Sequence, residues 1–254
     1  MQPSITTETR RTRSTEKLKP RMKTFKKIID KLKLHYGQPK PLQSSDPFEL
    51  ILLENIAYLA DDARREAAFE ELRNSIGLRP VDILAASLEK LISVTRLGGI
   101  HAEQRAQRLK ESAQIVFNDF SGDLRTTLKL PFPQALKALK QFPSIAEPGA
   151  EKILLFSKTF PVLALESNGL RVLLRVGFGE EKKNYSASYK SVRQGLQDQL
   201  GDDCEFLIGA HLLLRQHGKT ICKTNRPLCE SCPIASLCDY YQSTIGRSFI
   251  RTAS

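Results

Sequence analysis

The chain has no run of 18 or more apolar residues, so nothing in it reads as a membrane-spanning helix. It has no apolar signal core near its first residue, which removes the expectation of secretion. Sustained two-residue alternation is missing too, and with it the pattern that half-buried strands need. No internal repeat at a solenoid period stands out. Cysteine is scarce, five residues in 254. These absences leave a soluble, almost wholly helical protein, expected in the cytoplasm or with the nucleoid, where thiols stay reduced and free to ligate metal. Nothing in the pattern demands more than a monomer.

What is present fits that frame. A hydrophobic content of 41% with 26% charged residues suits one large or two modest globular domains. The net charge of +11 and pI near 9.5 favour a polyanionic partner, nucleic acid above all. Much of the excess lies at one end: up to Lys27 there are nine basic residues against Glu8 and Glu16. Residues 1–24, rich in Thr, Ser and Arg, read as a disordered basic tail. It is either a non-specific phosphate-binding arm or a solvated or organelle-targeting leader.

The body of the chain is punctuated as helices. Apolar spacing predicts one from Thr24 to Tyr36, ended by Gly37, Pro39 and Pro41. At the next start Asp46 is placed as N-cap, Pro47 as first helical residue and Glu49 as the returning capping-box carboxylate. Further helices are expected over 63–72, 80–91, 102–117, 133–141, 148–158, 169–176, 186–200 and 205–215.

Chemistry concentrates near the C-terminus. Cys222, Cys229, Cys232 and Cys238 follow a C-x6-C-x2-C-x5-C spacing. Thiolates this close in sequence can close around one soft metal centre without help from the rest of the fold. Zinc commonly takes two short knuckles far apart, whereas only one C-x2-C pair exists here, so a cubane iron-sulfur cluster fits better. The fifth cysteine, Cys204, reads as a buried small residue.

The cysteine spacing, with His217-Gly218-Lys219 leading into it, resembles the cluster loop of the endonuclease III family, helix-hairpin-helix DNA glycosylases that carry a [4Fe-4S] centre. The start at Asp46-Pro47 is similar to the opening helix of that family's barrel. The stretch FPSIAEPGAEKILLFSKTFPVLALESNGLRV, from Phe142 to Val172, runs without a gap against the family's hairpin and the segment after it. The resemblance implies an all-α fold with two helical lobes flanking a cleft. Residues 46–160 would form a six-helix barrel with the helix-hairpin-helix, and residues 25–45 and 161–254 the cluster lobe. Double-stranded DNA is the implied partner.

Site residues carried over by this resemblance depart from the family at several positions. Ser144 and Ala146 stand where two glycines let the hairpin backbone, with Ile145 between them, approach a phosphate. Pro148 replaces the lysine whose amine forms a Schiff base with the deoxyribose, so lyase chemistry is not expected. Lys152, one turn later, is either a replacement nucleophile or a solvated side chain. Glu166 aligns with the catalytic aspartate, keeping a carboxylate on a longer arm, and equally fits a surface glutamate. Leu59 aligns with the glutamine that fills the gap left by an extruded base; it is either an apolar wedge or a core residue. Asp62 matches a family acid. Lys219, Lys223 and Arg226 are placed to meet phosphates once the cysteines hold their loop. Two functions follow: a base-excision glycosylase without Schiff-base chemistry, or a catalytically silent DNA-binding iron-sulfur protein of the same fold.

Overall fold

In the computed structural model, residues 24–40 and 43–244 are described. The expected basic tail lies, but for Thr24, outside the described residues. Among the described residues there are helices and no strand; the nearest thing to pairing is an isolated parallel bridge between Tyr58 and Gly99. None of these helices is long and apolar enough to cross a membrane.

The order is α1 (Phe25–Tyr36), α2 (Pro47–Asn55), α3 (Asp62–Ser75), α4 (Pro80–Ala85), α5 (Leu88–Leu97) and α6 (Ala102–Asp119). Then come α7 (Phe132–Leu139), α8 (Glu147–Phe156), α9 (Ser167–Val176), α10 (Tyr185–Leu196) and α11 (Cys204–Thr220). Packing divides them into two lobes. Helices α2 to α8 contact one another, while α9 packs on α11, with α1 against α11 and α10 against α9. The lobes meet where α8 lies against α11, and one continuous apolar core runs through both. Its largest members include Phe25, Phe69, Leu32 and Ile51, all fully buried.

Three local expectations are corrected. The single helix expected over 80–91 is two helices, because Ala86 is extended and the Ser87 side chain caps α5 by accepting from Lys90 N. At α2 the Asp46 carboxylate does accept from Phe48 N and Glu49 N. The amide of Asp46, however, donates to Ser44 Oγ at 3.0 Å rather than to Glu49, so the hydroxyl two residues upstream completes the cap. The last helix runs on to Thr220, which places His217, Gly218 and Lys219 on α11 and not in the cysteine loop.

Gly218 fixes the crossing of α9 and α11. A Cβ built there would lie 2.6 Å from Asn168 O, inside contact distance, so only glycine lets the two helices approach this closely. Gly98 and Gly99 serve the same end beside Ile56 O and Tyr58 O, at 2.2 and 2.3 Å from their built Cβ positions. Arg105, 1% exposed, then ties these two turns together by donating to the carbonyls of Ile56, Gly99 and Ile100.

Candidate functional site

The hairpin between α7 and α8 keeps its turn without the two glycines. Ser144 takes up the left-handed conformation at φ 65°, while Ala146 is extended at φ −86° and caps α8. Only the first of the two positions therefore carries backbone strain. Asn55 of α2 braces the turn by donating to Pro143 O at 3.2 Å, and Ile145 is buried beneath it. Pro148 sits in the first turn of α8, where a missing N–H costs nothing.

Lys152 and Glu166 come from opposite lobes. Lys152 is on α8, and its ammonium lies 2.5 Å from Glu54 Oε1 of α2, with both side chains about a quarter exposed. Burial pushes the Glu54 carboxyl up, but Lys152, Arg65 and His211 more than offset this and hold it below the usual carboxylate range. Glu166 is the N-cap of α9: Oε1 accepts from Gly169 N and Oε2 from Asn168 Nδ2, at 2.6 and 2.7 Å. The segment leading to it is clamped on three successive carbonyls. Tyr189 Oη donates to Leu163 O, His211 Nδ1 lies 2.7 Å from Ala164 O, and Tyr185 Oη donates to Leu165 O at 2.7 Å. Behind the clamp, Glu151 binds Tyr189 and Arg193.

His211 is buried, edge-on to Phe156, and burial together with the Lys152 charge lowers its pKa to about 4. It is therefore neutral near pH 7, and Nδ1 carries the proton given to Ala164 O. The electrostatic neighbourhood joins Glu54, Lys152, His211, Glu166 and Arg215. Glu54 and Arg215 were missed from the sequence. The available signal for Glu54 was a lone acid following the apolar run LILL on a buried helix.

Across the entrance, Asp62 at the start of α3 accepts from Arg215 and from Lys219 Nζ, the latter at 2.8 Å. Arg215 first, against burial and helped by Lys219, holds the Asp62 carboxyl well below its usual range. Lys219 is thus engaged with an acid of the other lobe instead of lying open in the loop. Leu59 is 75% exposed and left-handed at φ 49°, so its core-packing alternative does not hold. Tyr58 and Ile100 are exposed beside it on the turns that Arg105 pins.

The four cysteines Cys222, Cys229, Cys232 and Cys238 line one small pocket, walled by Val172, Val176, Ile234 and Tyr241. Burial pushes the Cys232 thiol up to about 11 and raises Cys229 and Cys238 as well. Two nitrogens approach the sulfurs: Arg175 Nη1 lies 3.4 Å from Cys222 Sγ and His217 Nε2 lies 3.5 Å from Cys232 Sγ. Arg175 also donates to Lys223 O and Thr224 O, and Arg171 to Cys222 O and Gly218 O, so α9 holds the loop from beneath. Lys223 and Arg226 are exposed on that loop, Arg226 left-handed at φ 52°. Among the described residues, no group of three or more His, Cys, Asp or Glu converges on a single ion. Cys204, expected to be buried, is partly exposed at the start of α11.

A helical hairpin thus joins α7 to α8 where the two lobes pack, with Glu54, Lys152, His211, Glu166 and Arg215 gathered near that seam. No protein-family model matches the chain. It is 25% identical over 199 residues to "Endonuclease III" of Sulfolobus acidocaldarius, covering 78% of this chain and 84% of that one. Among solved structures it superposes on a trapped endonuclease III–DNA covalent intermediate with TM-score 0.68 and 20% identity, covering 88% of this chain and 100% of that one. A thermostable thymine-DNA glycosylase gives TM-score 0.69 at 20% identity, covering 86% and 95%. At these identities the solved structures speak for the fold. The chain is thus similar over most of its length to proteins named endonuclease III and has the fold of their solved structures.

Proposed function

We propose that this chain binds double-stranded DNA and releases a damaged base by hydrolysis, without a Schiff-base intermediate. The observation that carries the reading is the pairing of Pro148 in the hairpin with Lys152 held by Glu54. The first has no amine, and the second has its ammonium tied to a carboxylate, so no free amine is offered where family members place one. Glu166 remains as the cleft carboxylate. Clamped on its approach and capped onto α9, it can polarise a water and stabilise positive charge on a sugar. The relatives named endonuclease III, and the neighbour solved with DNA, support the partner. We take the protein to act as a monomer on nucleoid DNA, with 46–160 as its barrel lobe.

A cluster belongs to the same reading. Four soft sulfur donors around one cavity, with N–H groups aimed at two of them, fit a [4Fe-4S] group held by Cys222, Cys229, Cys232 and Cys238. Its contribution would be to stiffen the loop that carries Lys223 and Arg226, since ligation must displace protons from raised thiols and couples to loop folding. A brown protein with about four irons per chain is the expected result, and stoichiometric zinc without iron rejects the assignment.

One observation favours a catalytically silent DNA-binding protein: both Glu166 oxygens are already taken, by Gly169 N and Asn168 Nδ2. A base-release assay on damaged duplexes, with borohydride trapping in parallel, separates the two. Base release lost in Glu166→Gln, with duplex affinity kept and no trapped adduct, is the expected outcome. Equal release by both forms removes Glu166 from the chemistry, and an adduct mapping to Lys152 overturns the hydrolytic route.

A further inference from the structure

A groove of about 550 Å³ opens between the outer face of α9, the turn at 181–185 and Thr224 of the cysteine loop. Four cations line it, Arg171, Arg175, Lys182 and Lys183, against the single carboxylate of Glu181. Arg171 is fixed by neutral acceptors, Asn168 Oδ1 and the carbonyls of Gly218 and Cys222, and Arg175 by the carbonyls of Lys223 and Thr224 with Cys222 Sγ also 3.4 Å from its Nη1. Arg171 is thus held in place without its charge being cancelled. Lys183 has no ion-pair partner among the described residues, and Lys182 meets Glu180 only in an exposed pair of the kind that contributes little. A positive wall with low self-compensation is the footprint of a polyanion.

Shape and position say which one. The α9 wall runs from Ser167 to Arg175, about 12 Å at 1.5 Å per residue. A wall of this length faces a short run of phosphates on one strand. The lining takes in Ser167, the neighbour of Glu166, and Thr224, the neighbour of Lys223. We infer that this groove is a track for one strand of the duplex, carrying its backbone away from the cleft along α9 to the cysteine loop. The inference rests on the DNA-binding reading above and adds Arg171, Arg175, Lys182 and Lys183 to it, none of which the sequence pattern singled out.

The test uses the full chain and a lesion-free duplex, with affinity measured by fluorescence anisotropy over a salt series. Each phosphate neutralised by a protein cation adds about 0.9 to the slope of log affinity against log salt. Lys183→Gln should therefore flatten the slope by about 0.9, and Lys182→Gln with Lys183→Gln by about 1.8. Lys190→Gln, the same charge change on α10 but outside the groove lining, should leave it as it is. Slopes equal to wild type in the groove variants, or equal flattening by Lys190→Gln, overturn the track while leaving DNA binding intact. A wild-type chain that binds no duplex overturns the underlying reading instead.

Discussion

Lys152 Nζ and Glu54 Oε1 stand 2.5 Å apart, joining α8 to α2 across 98 residues of chain. With about a quarter of each side chain exposed, the pair is partly screened, and removing one partner leaves the other half-desolvated. Glu54→Gln is expected to cost about 2 kcal/mol, a fall in Tm of roughly 4–8 °C for a chain of this size. Glu54→Gln with Lys152→Met should recover part of that loss. A double variant no more stable than the single one shows that the pair is not coupled.

His211 makes stability depend on pH below neutrality. Its folded pKa, lowered to about 4 by burial and by Lys152, lies under the unfolded value near 6.5. The unfolded chain thus binds the proton more readily. The contribution is fully present above pH 6.5 and is lost as pH falls from there to about 4. The loss is on the order of 3 kcal/mol at about 1.4 kcal/mol per pKa unit. Denaturant titrations of wild type and His211→Gln across this window should show a steeper decline in the wild type; parallel curves would contradict it.

Arg105 should be among the least replaceable side chains. Its guanidinium is buried, burial lowers its pKa, and it satisfies three carbonyls on two separate turns. Arg105→Met leaves those carbonyls unpaired and is expected to cost about 3–5 kcal/mol. Arg105→Lys should rescue little, because a single ammonium cannot reproduce the planar fork. Thermal melts of both variants decide this, and a Lys variant within about 1 kcal/mol of wild type goes against it.

Leu59 should behave in the opposite way. At 75% exposure its side chain packs against little, so Leu59→Ala should change stability by no more than about 0.5 kcal/mol. If it enters the base stack, the same change weakens binding to a duplex with an unpaired site. Equal affinity on paired and unpaired sites in both forms excludes the wedge.

Local chemistry was readable and distant partnership was not. The Asp46-Pro47 start and the helical content follow from spacing within a few residues of chain. The split at Ser87 was missed because its capping hydroxyl lies inside an otherwise continuous apolar pattern. Glu54 with Lys152, and Asp62 with Arg215 and Lys219, are partners 98 to 157 residues apart, and no periodicity announces such pairs. Lys219 shows the cost of that blindness: its charge, expected to face phosphate, spans the two lobes.

Position 218 offers no room for drift. Glycine inside a helix sacrifices about 1 kcal/mol relative to alanine, yet any side chain there would strike Asn168 O. The spacing between the Glu166 cap and the cysteines is thereby set by a hydrogen atom. Remote kin that share this crossing can be aligned on that one column even where every catalytic letter has changed.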